Sequence, residues 1–485
     1  TVTDYPHSMA VTWQTSVAQL SEGGRRLLER LAWLAPEKVP EALVDVFIPR
    51  TKGEDLREAF DDLVAYSLVT RDAEGPFFLV HRLVQDVTRR SLANKARPRS
   101  LVEALRWIDA AFTDSAVDVR NWPKLEPLAP HAAAVTAYAD AAGIAKPTAR
   151  LMNELGMLLN EKALYAEAEP SLRRVLAIDE KSFGPDDPEV ADDLNNLAQL
   201  LQETNRLSEA EPLMRRALAI DENNSEHDHN PDVARDLNNL AQLLHDTGRL
   251  AEAEPLMRRA LAIDEKNAGS PHDPDVASDL NNLAQLLQDS NRLAEAEPLM
   301  RRALAIDEKN FGSDHPAVAR DLNNLAGLLY ATDRLAEAEP LLRRALAIDE
   351  NAFGPHHPEV AQDLSSLARL LRVTERFDAA EPLMRRALAI DEKSFGQDHP
   401  IVASRLNNLV RLLHSTNRYE EAEPLMRRVV AIRVESTQRM GHRDPRLDAA
   451  FANYARLLAE MGKSQAEIDA ACTDLMRPLA NKASS

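Results

Sequence analysis

The chain is poor in cysteine, glycine, aromatics and positive charge. It holds one cysteine, Cys472, in 485 residues, so no internal disulfide can form and a zinc ribbon would lack ligands. A reducing, cytoplasmic compartment is expected. Glycine occurs only 15 times and aromatics make up 5%, which disfavours turn-rich and strand-rich folds and favours helices. No run approaches ~20 apolar residues, so no membrane span is expected. Thr1–Tyr5 has neither a basic start nor an apolar run, so no signal peptide is expected either. The chain opens on Thr rather than Met, from which we expect a piece of a longer polypeptide. Lys and Arg number 58 against 78 acids, a formal charge of −20. That deficit argues against nucleic acid and anionic membranes as partners. Gly-x-x-x-x-Gly-Lys-Ser/Thr, Gly-x-Ser-x-Gly and His-Glu-x-x-His are all missing. We therefore expect no catalytic residues, no metal and no cofactor in this chain.

What is present is a period. Glu-Pro recurs at Glu169, Glu211, Glu254, Glu297, Glu339, Glu381 and Glu423, in steps of 42 or 43 residues. One unit shows apolar residues at Leu237, Leu240, Ala241 and Leu244, one face of a first helix. Pro231 suits its first turn and Thr247-Gly248 the turn after it. Leu250, Ala253, Leu256, Met257, Ala260, Leu261 and Ile263 give the apolar face of a second helix, with Pro255 early inside it. Such a hairpin has about nine large apolar side chains, worth roughly 2 kcal/mol each when buried. Ordering ~34 helical residues costs about 1.5 kcal/mol apiece. One hairpin cannot stand alone, whereas stacked hairpins sharing a core can.

Leu-x-x-Leu-Ala-x-x-Leu followed by Ala-x-x-x-Met-x-x-Ala resembles tetratricopeptide repeats. The period, Leu-Asn-Asn-Leu-Ala, Glu-Ala-Glu-Pro-Leu and Phe-Gly-x-x-His-Pro are similar to the kinesin light chain subtype. The resemblance implies a mostly α fold, a right-handed α-solenoid, with seven repeats over 149–440 and a degenerate capping repeat over 441–485. Residues 1–95 lack the period. Helical patterns at 20–34 and 56–64, a β-hairpin over Ser67–Arg71 and Phe77–His81, and a helix from Arg82 suggest an α+β winged-helix domain. Its central helix is acidic (Glu54, Asp55, Glu58, Asp61 and Asp62 against Arg57), which would repel DNA. Tyr5-Pro6, Thr12-Trp13, Leu63–Val69 and Val80–Gln85 resemble the winged helix of signal-transducing ATPases of the NB-ARC (STAND) class. The resemblance implies that the nucleotide-binding domain, with any ATP or ADP, lies upstream, that His81 contacts nucleotide in the full protein, and that 96–148 is a helical adaptor.

Candidate sites follow from the repeat geometry. His227, His229, His272, His315, His356, His357 and His399 precede helix starts and read as caps rather than metal ligands. The face of each first helix opposite its core carries Asn195-Asn196, Asn238-Asn239, Asn281-Asn282, Asn323-Asn324 and Asn407-Asn408, with Ser365-Ser366 in the sixth repeat. Amides both donate and accept, so this ladder is expected to grip an extended peptide; an alternative is that some of these asparagines tie adjacent repeats together. Repeats 1–4 carry Arg150 and Arg235 against Glu154, Glu161, Asp192, Glu203, Asp246 and Asp289. Repeats 5–7 carry Arg320, Arg369, Arg372 and Arg411 and no acid on this face. An acidic segment is expected to dock at Arg369, Arg372 and Arg411 with Tyr330 as a stacking neighbour. The recurring Asp193, Asp236, Asp279, Asp321 and Asp363 read as inter-repeat ion-pair partners of arginines on the second helices. The expected function is non-enzymatic recognition of a protein or peptide. A stand-alone scaffold and a winged-helix transcriptional regulator are the alternatives.

Overall fold

The computed structural model describes residues 16–46, 55–92, 96–224, 230–267, 273–440 and 444–482. The chain divides into two compact units, Thr1–Glu161 with Glu167–Pro185, and Lys162–Ala166 with Asp186–Ser485.

The first unit contains α1 (Glu22–Leu31), β1 (Val39–Pro40), α2 (Leu56–Ala65), β2 (Val69–Arg71), β3 (Phe77–Val80), α3 (Arg82–Ser91), α4 (Ala96–Ala111), α5 (Trp122–Leu125), α6 (Ala129–Ala141), α7 (Thr148–Glu161) and most of α8 (Tyr165–Phe183). The Ser21 and Asp55 side chains accept the first N–H groups of α1 and α2, which have no partner within the helix. The expected hairpin forms with Val69 opposite Val80. A strand absent from the sequence reading, β1, joins it with Val39 opposite Phe78, giving the order β1-β3-β2. Two residues are too short for an alternation signal. The boundary expected at 95/96 has a packed core running across it. Trp33 donates its indole N–H to the Ser100 hydroxyl at 3.0 Å, and Trp107 donates to the Leu43 carbonyl at 2.9 Å. The motif residues Tyr5, Pro6, Thr12 and Trp13 lie outside the described residues.

The second unit is a run of antiparallel hairpins: α9 (Pro188–Glu203) with α10 (Leu207–Asn224), α11 (Pro231–Asp246) with α12 (Leu250–Asn267), α13 (Pro274–Asp289) with α14 (Leu293–Phe311), α15 (Pro316–Ala331) with α16 (Leu335–Phe353), α17 (Pro358–Val373) with α18 (Phe377–Phe395), and α19 (Pro400–Ser415) with α20 (Tyr419–Met440). A shorter pair, α21 (Leu447–Glu460) and α22 (Gln465–Lys482), follows.

Each boundary has a local cause. Proline takes the first position of α9, α11, α13, α15, α17 and α19, where its missing N–H costs nothing. Asp187, Asn230, Asp273, His315, His357 and His399 cap those helices. The turn after each first helix needs one left-handed residue. Gly248 supplies it freely, while Asn205, Asn291, Asp333, Glu375 and Asn417 adopt it at φ of 56–58°. The second helices run unbroken through the proline of Glu-Pro. Core clusters cross from one repeat to the next: Val233, Ala234 and Leu237 pack with Ala260 and Ile263 of their own hairpin and with Leu218 of the preceding one. The apolar core is thus continuous along the array.

Candidate functional site

The asparagine ladder divides in two. In four of the five pairs the first member is spent on the joint between repeats. Asn195 donates its Nδ2 hydrogen to Asp236 Oδ1 at 2.7 Å, Asn238 to Asp279 at 2.6 Å, Asn281 to Asp321 at 2.7 Å, and Asn323 to Asp363. The expectation that these amides face a ligand does not hold for them, because stacking brings the aspartate one repeat on within hydrogen-bonding distance. The recurring aspartates were also expected to pair with arginines of the second helices. Those arginines instead serve glutamates: Arg258 pairs with Glu254 at 2.8 Å and Arg259 with Glu222 of the repeat before.

The second members behave differently. Asn239, Asn324 and Asn408 are half-buried and Asn282 is exposed, and none of the four has a hydrogen-bond partner among the described residues. Asn196 is likewise half-buried. Asn407 closes no seam and borders a cavity.

The sixth and seventh repeats break the pattern at both ends of one bond. Ser365 replaces the amide and Arg405 replaces the aspartate it would have met. Arg405 is buried and donates to Asp391 at 2.6 Å and to Gln362 at 3.1 Å. One seam is therefore an ion pair where its neighbours are amide–acid bonds.

Three of the arginines assigned to the groove are committed elsewhere. Arg150 pairs with Asp109. Arg235 meets Asp192, Asp221 and Asp232 at 2.8, 3.5 and 3.1 Å, and Arg320 meets Asp307 and Asp321. For Arg235 and Arg320 the reason is their position next to the seam aspartates Asp236 and Asp321. Arg369, Arg372 and Arg411 have no carboxylate partner among the described residues. Arg369 lies over the Tyr330 ring, 5.1 Å from its centroid, a cation–π contact. Burial, then the charges of Arg411 and Arg369, hold the Arg372 pKa below the usual guanidinium value. These cations repel one another, and no carboxylate among the described residues pairs with them.

Arg372, Asn407 and Arg411 line a cavity of about 550 Å³ together with Val410, His414, Ser415, Met426, Asn453, Arg456, Leu457 and Glu460. Residues 453, 456, 457 and 460 come from α21, which sequence reasoning treated only as a cap. Their i, i+3, i+4, i+7 spacing was the available signal. His414 hydrogen-bonds Glu460 across the rim, and Arg456 donates to Asn453 at 2.7 Å.

Acids occupy the other end. Asp246 accepts from Gln202 and from Gln242, and Asp289 faces His245 Nε2 at 2.7 Å. Burial first, then the neighbouring Asp246 charge, push the Glu203 carboxyl above the ordinary range, against a lowering contribution from Arg446.

His315, His357 and His399 accept N–H groups on Nδ1 and stack on Phe311, Phe353 and Phe395 at 4.4, 4.5 and 4.9 Å. His227, His229 and His272 lie outside the described residues. His81 is exposed and caps α3, accepting from the Leu83 N–H at 3.2 Å. No group of three His, Cys, Asp or Glu able to hold a metal occurs among the described residues, and none of the described helices is long and apolar enough to cross a membrane. The repeated Glu of Glu-Pro proves to be a clamp: Glu211, Glu254, Glu297, Glu339 and Glu381 each accept from the turn arginine of the following repeat.

Comparison with known proteins gives three kinds of result. Two tetratricopeptide repeat families match, one over residues 147–223, 275–351, 318–393 and 363–433, the other over 234–275. A domain of unknown function matches residues 15–97. No curated protein matches. Among solved structures, a putative kinesin light chain from Podosopora anserina with nearly identical TPR-like repeats is 25% identical, covering 43% of this chain and 98% of its own, with a TM-score of 0.36. A Rap protein complexed with competence and sporulation factor is 15% identical over 72% of this chain and 96% of its own, with a TM-score of 0.46. A Signal Transduction ATPase with Numerous Domains from Pyrococcus horikoshii, which has a tetratricopeptide repeat sensor, covers 98% of this chain. This chain spans 65% of that protein, at 13% identity and a TM-score of 0.51, a likeness of fold.

Proposed function

We propose that this chain, which belongs to the tetratricopeptide-repeat family, is the recognition arm of a larger STAND-type signalling ATPase and binds a segment of a partner protein along its first helices. Repeat arrays of this family are protein-interaction scaffolds. The finer assignment is ours. The observation that carries it is the unneutralised cluster Arg369, Arg372 and Arg411. In a chain of charge −20, where the recurring arginines of the turns and second helices meet carboxylates, three adjacent arginines without one form a receptor for an external anion. Tyr330, the cavity beside Arg372 and the unpartnered amides Asn239, Asn282, Asn324 and Asn408 supply neighbouring contacts for the peptide on either side.

In this reading 1–95 is a winged helix and 96–148 an adaptor toward an upstream nucleotide-binding domain. The whole-chain fold likeness to the Pyrococcus protein supports that placement. A nucleotide contact from His81, which is exposed at the start of α3, belongs to the same reading. A DNA-binding role is disfavoured by Glu58, Asp61 and Asp62 on α2.

The test is binding of a fluorescent acidic peptide to the chain and to its Arg372→Glu/Arg411→Glu variant. We expect at least a tenfold loss in the variant, and steep weakening with salt in the parent. Equal affinities, with both proteins folded by circular dichroism, would overturn the assignment.

A further inference from the structure

We propose that the seams between repeats are proton-loaded joints. Each of four seams closes on a pair of carboxyl groups that share one proton, and losing that proton loosens the array.

The pairs are Asp221 with Asp236, Asp264 with Asp279, Asp307 with Asp321, and Asp349 with Asp363. In each, the last turns of one second helix meet the next first helix, and the two carboxyls lie within hydrogen-bonding reach of each other. Asp236, Asp279, Asp321 and Asp363 are at most 1% exposed. One oxygen of each is occupied by the asparagine of the preceding repeat. The other oxygen is buried without a donor: Asp236 Oδ2, Asp279 Oδ2, Asp321 Oδ2 and Asp363 Oδ2. On the facing side Asp221 Oδ2, Asp307 Oδ1 and Asp349 Oδ1 are buried and equally unmatched. Ionised carboxylates only accept, so two of them cannot bond. One proton between them satisfies both.

The sequence carries its own control. At the next seam Asp391 would face an aspartate at position 405, but the residue there is Arg405, and the joint becomes an ion pair. The asparagine that served the acid is gone as well, replaced by Ser365.

The four joints are not equivalent. Arg235 stands 3.5 Å from Asp221 and 3.6 Å from Asp236, with Asp192 and Asp232 also in its reach. Arg320 stands 3.4 Å from Asp307 and 3.7 Å from Asp321, and His315 faces Asp307. These cations ease the loss of the proton. Asp264–Asp279 faces Asp273, Asp275 and Asn238, and Asp349–Asp363 faces Glu359 and Asn323. Ser278 and Gln362 stand where the other seams have arginine. Among the described residues neither of these two joints faces a cation that would ease the loss of its proton. Burial is the first cause that raises every one of these carboxyls, and Asp363 is pushed up to about 8.

The sign follows from linkage. The unfolded chain releases these protons near the ordinary aspartate pKa of about 3.9. The folded chain keeps them to neutrality, so it binds more protons and loses stability as pH rises from about 4, by up to tenfold in the folding constant per pH unit per proton, and the decline levels off as the folded carboxyls ionise between about 6 and about 8.

Urea unfolding of the full chain between pH 5.5 and 8.5 tests this. Asp264→Asn/Asp349→Asn replaces the shared proton by an amide of the same shape. We expect it to flatten the decline in the unfolding midpoint more than Asp221→Asn/Asp307→Asn does. The parent should also show the infrared carbonyl band of protonated carboxylic acid at pH 7, diminished in the variant. Glu29, Asp109, Glu154, Glu203 and Asp391, also raised by burial, are common to all proteins and cancel. A parent midpoint independent of pH, or the parent's slope and band retained in the first variant, would overturn the proposal. Should that double variant fail to fold, each single variant is expected to remove part of the slope, and an unchanged slope in both overturns it equally.

Discussion

Replacing Arg405 by leucine isolates the energetics of one seam. Arg405 is 7% exposed and Asp391 0%, and the 2.6 Å bond between them is the seam's charge balance. Removing one partner of a buried pair leaves an uncompensated charge and costs about 3–5 kcal/mol. The Gln362 contact to the guanidinium is lost too. Burial already raises the Asp391 carboxyl while Arg405 pulls it down. Without Arg405 it rises further, so at low pH the acid protonates and part of the loss returns. We therefore expect Arg405→Leu to destabilise by about 3–5 kcal/mol at pH 7 and by less at pH 5. Arg405→Leu/Asp391→Asn should recover more than half of the difference, since no buried charge remains. Arg405→Asp/Ser365→Asn should recover it by another route, rebuilding the amide–acid–acid joint of the other seams. The assay is urea unfolding followed by circular dichroism, with hydrogen exchange in α18 and α19 to locate the effect. A cost below about 1 kcal/mol at pH 7, the value of an exposed pair, would refute the account of this seam.

Three further outcomes separate neighbouring residues with different jobs. Asn238→Ala should cost about 2 kcal/mol, the worth of a hydrogen bond to a buried acid, whereas Asn239→Ala should stay within about 0.5 kcal/mol; thermal unfolding of the two side by side checks the division of the ladder. Glu375→Gly should raise stability by about 0.5–1 kcal/mol, because Glu375 holds a left-handed φ of 56° that glycine adopts without strain. Gly156→Ala would set its Cβ 2.7 Å from Leu172 Cδ2, inside the first unit, and should destabilise by about 1 kcal/mol or more despite alanine's better helix propensity; a rise in Tm would show that Leu172 has room to move.

The sequence by itself determined the repeat and its hairpins. A strict 42–43-residue period, proline at helix starts and an apolar face at 3.6 spacing are local facts, and local facts survive without coordinates. Capping by His315, His357 and His399 was legible for the same reason. Tertiary structure decided which polar residues were left for a partner. Asn238 and Asn239 are identical in type and adjacent, yet one bonds Asp279 and the other has no hydrogen-bond partner among the described residues, because the stacking of the next repeat brings an acid to one of them. Arg320 and Arg372 read alike along the chain, but one lies beside a seam aspartate and the other beside two like charges. The contribution of Arg456 and Glu460 to the cavity, and the meeting of Asp264 with Asp279, depend on contacts between helices that no single repeat contains.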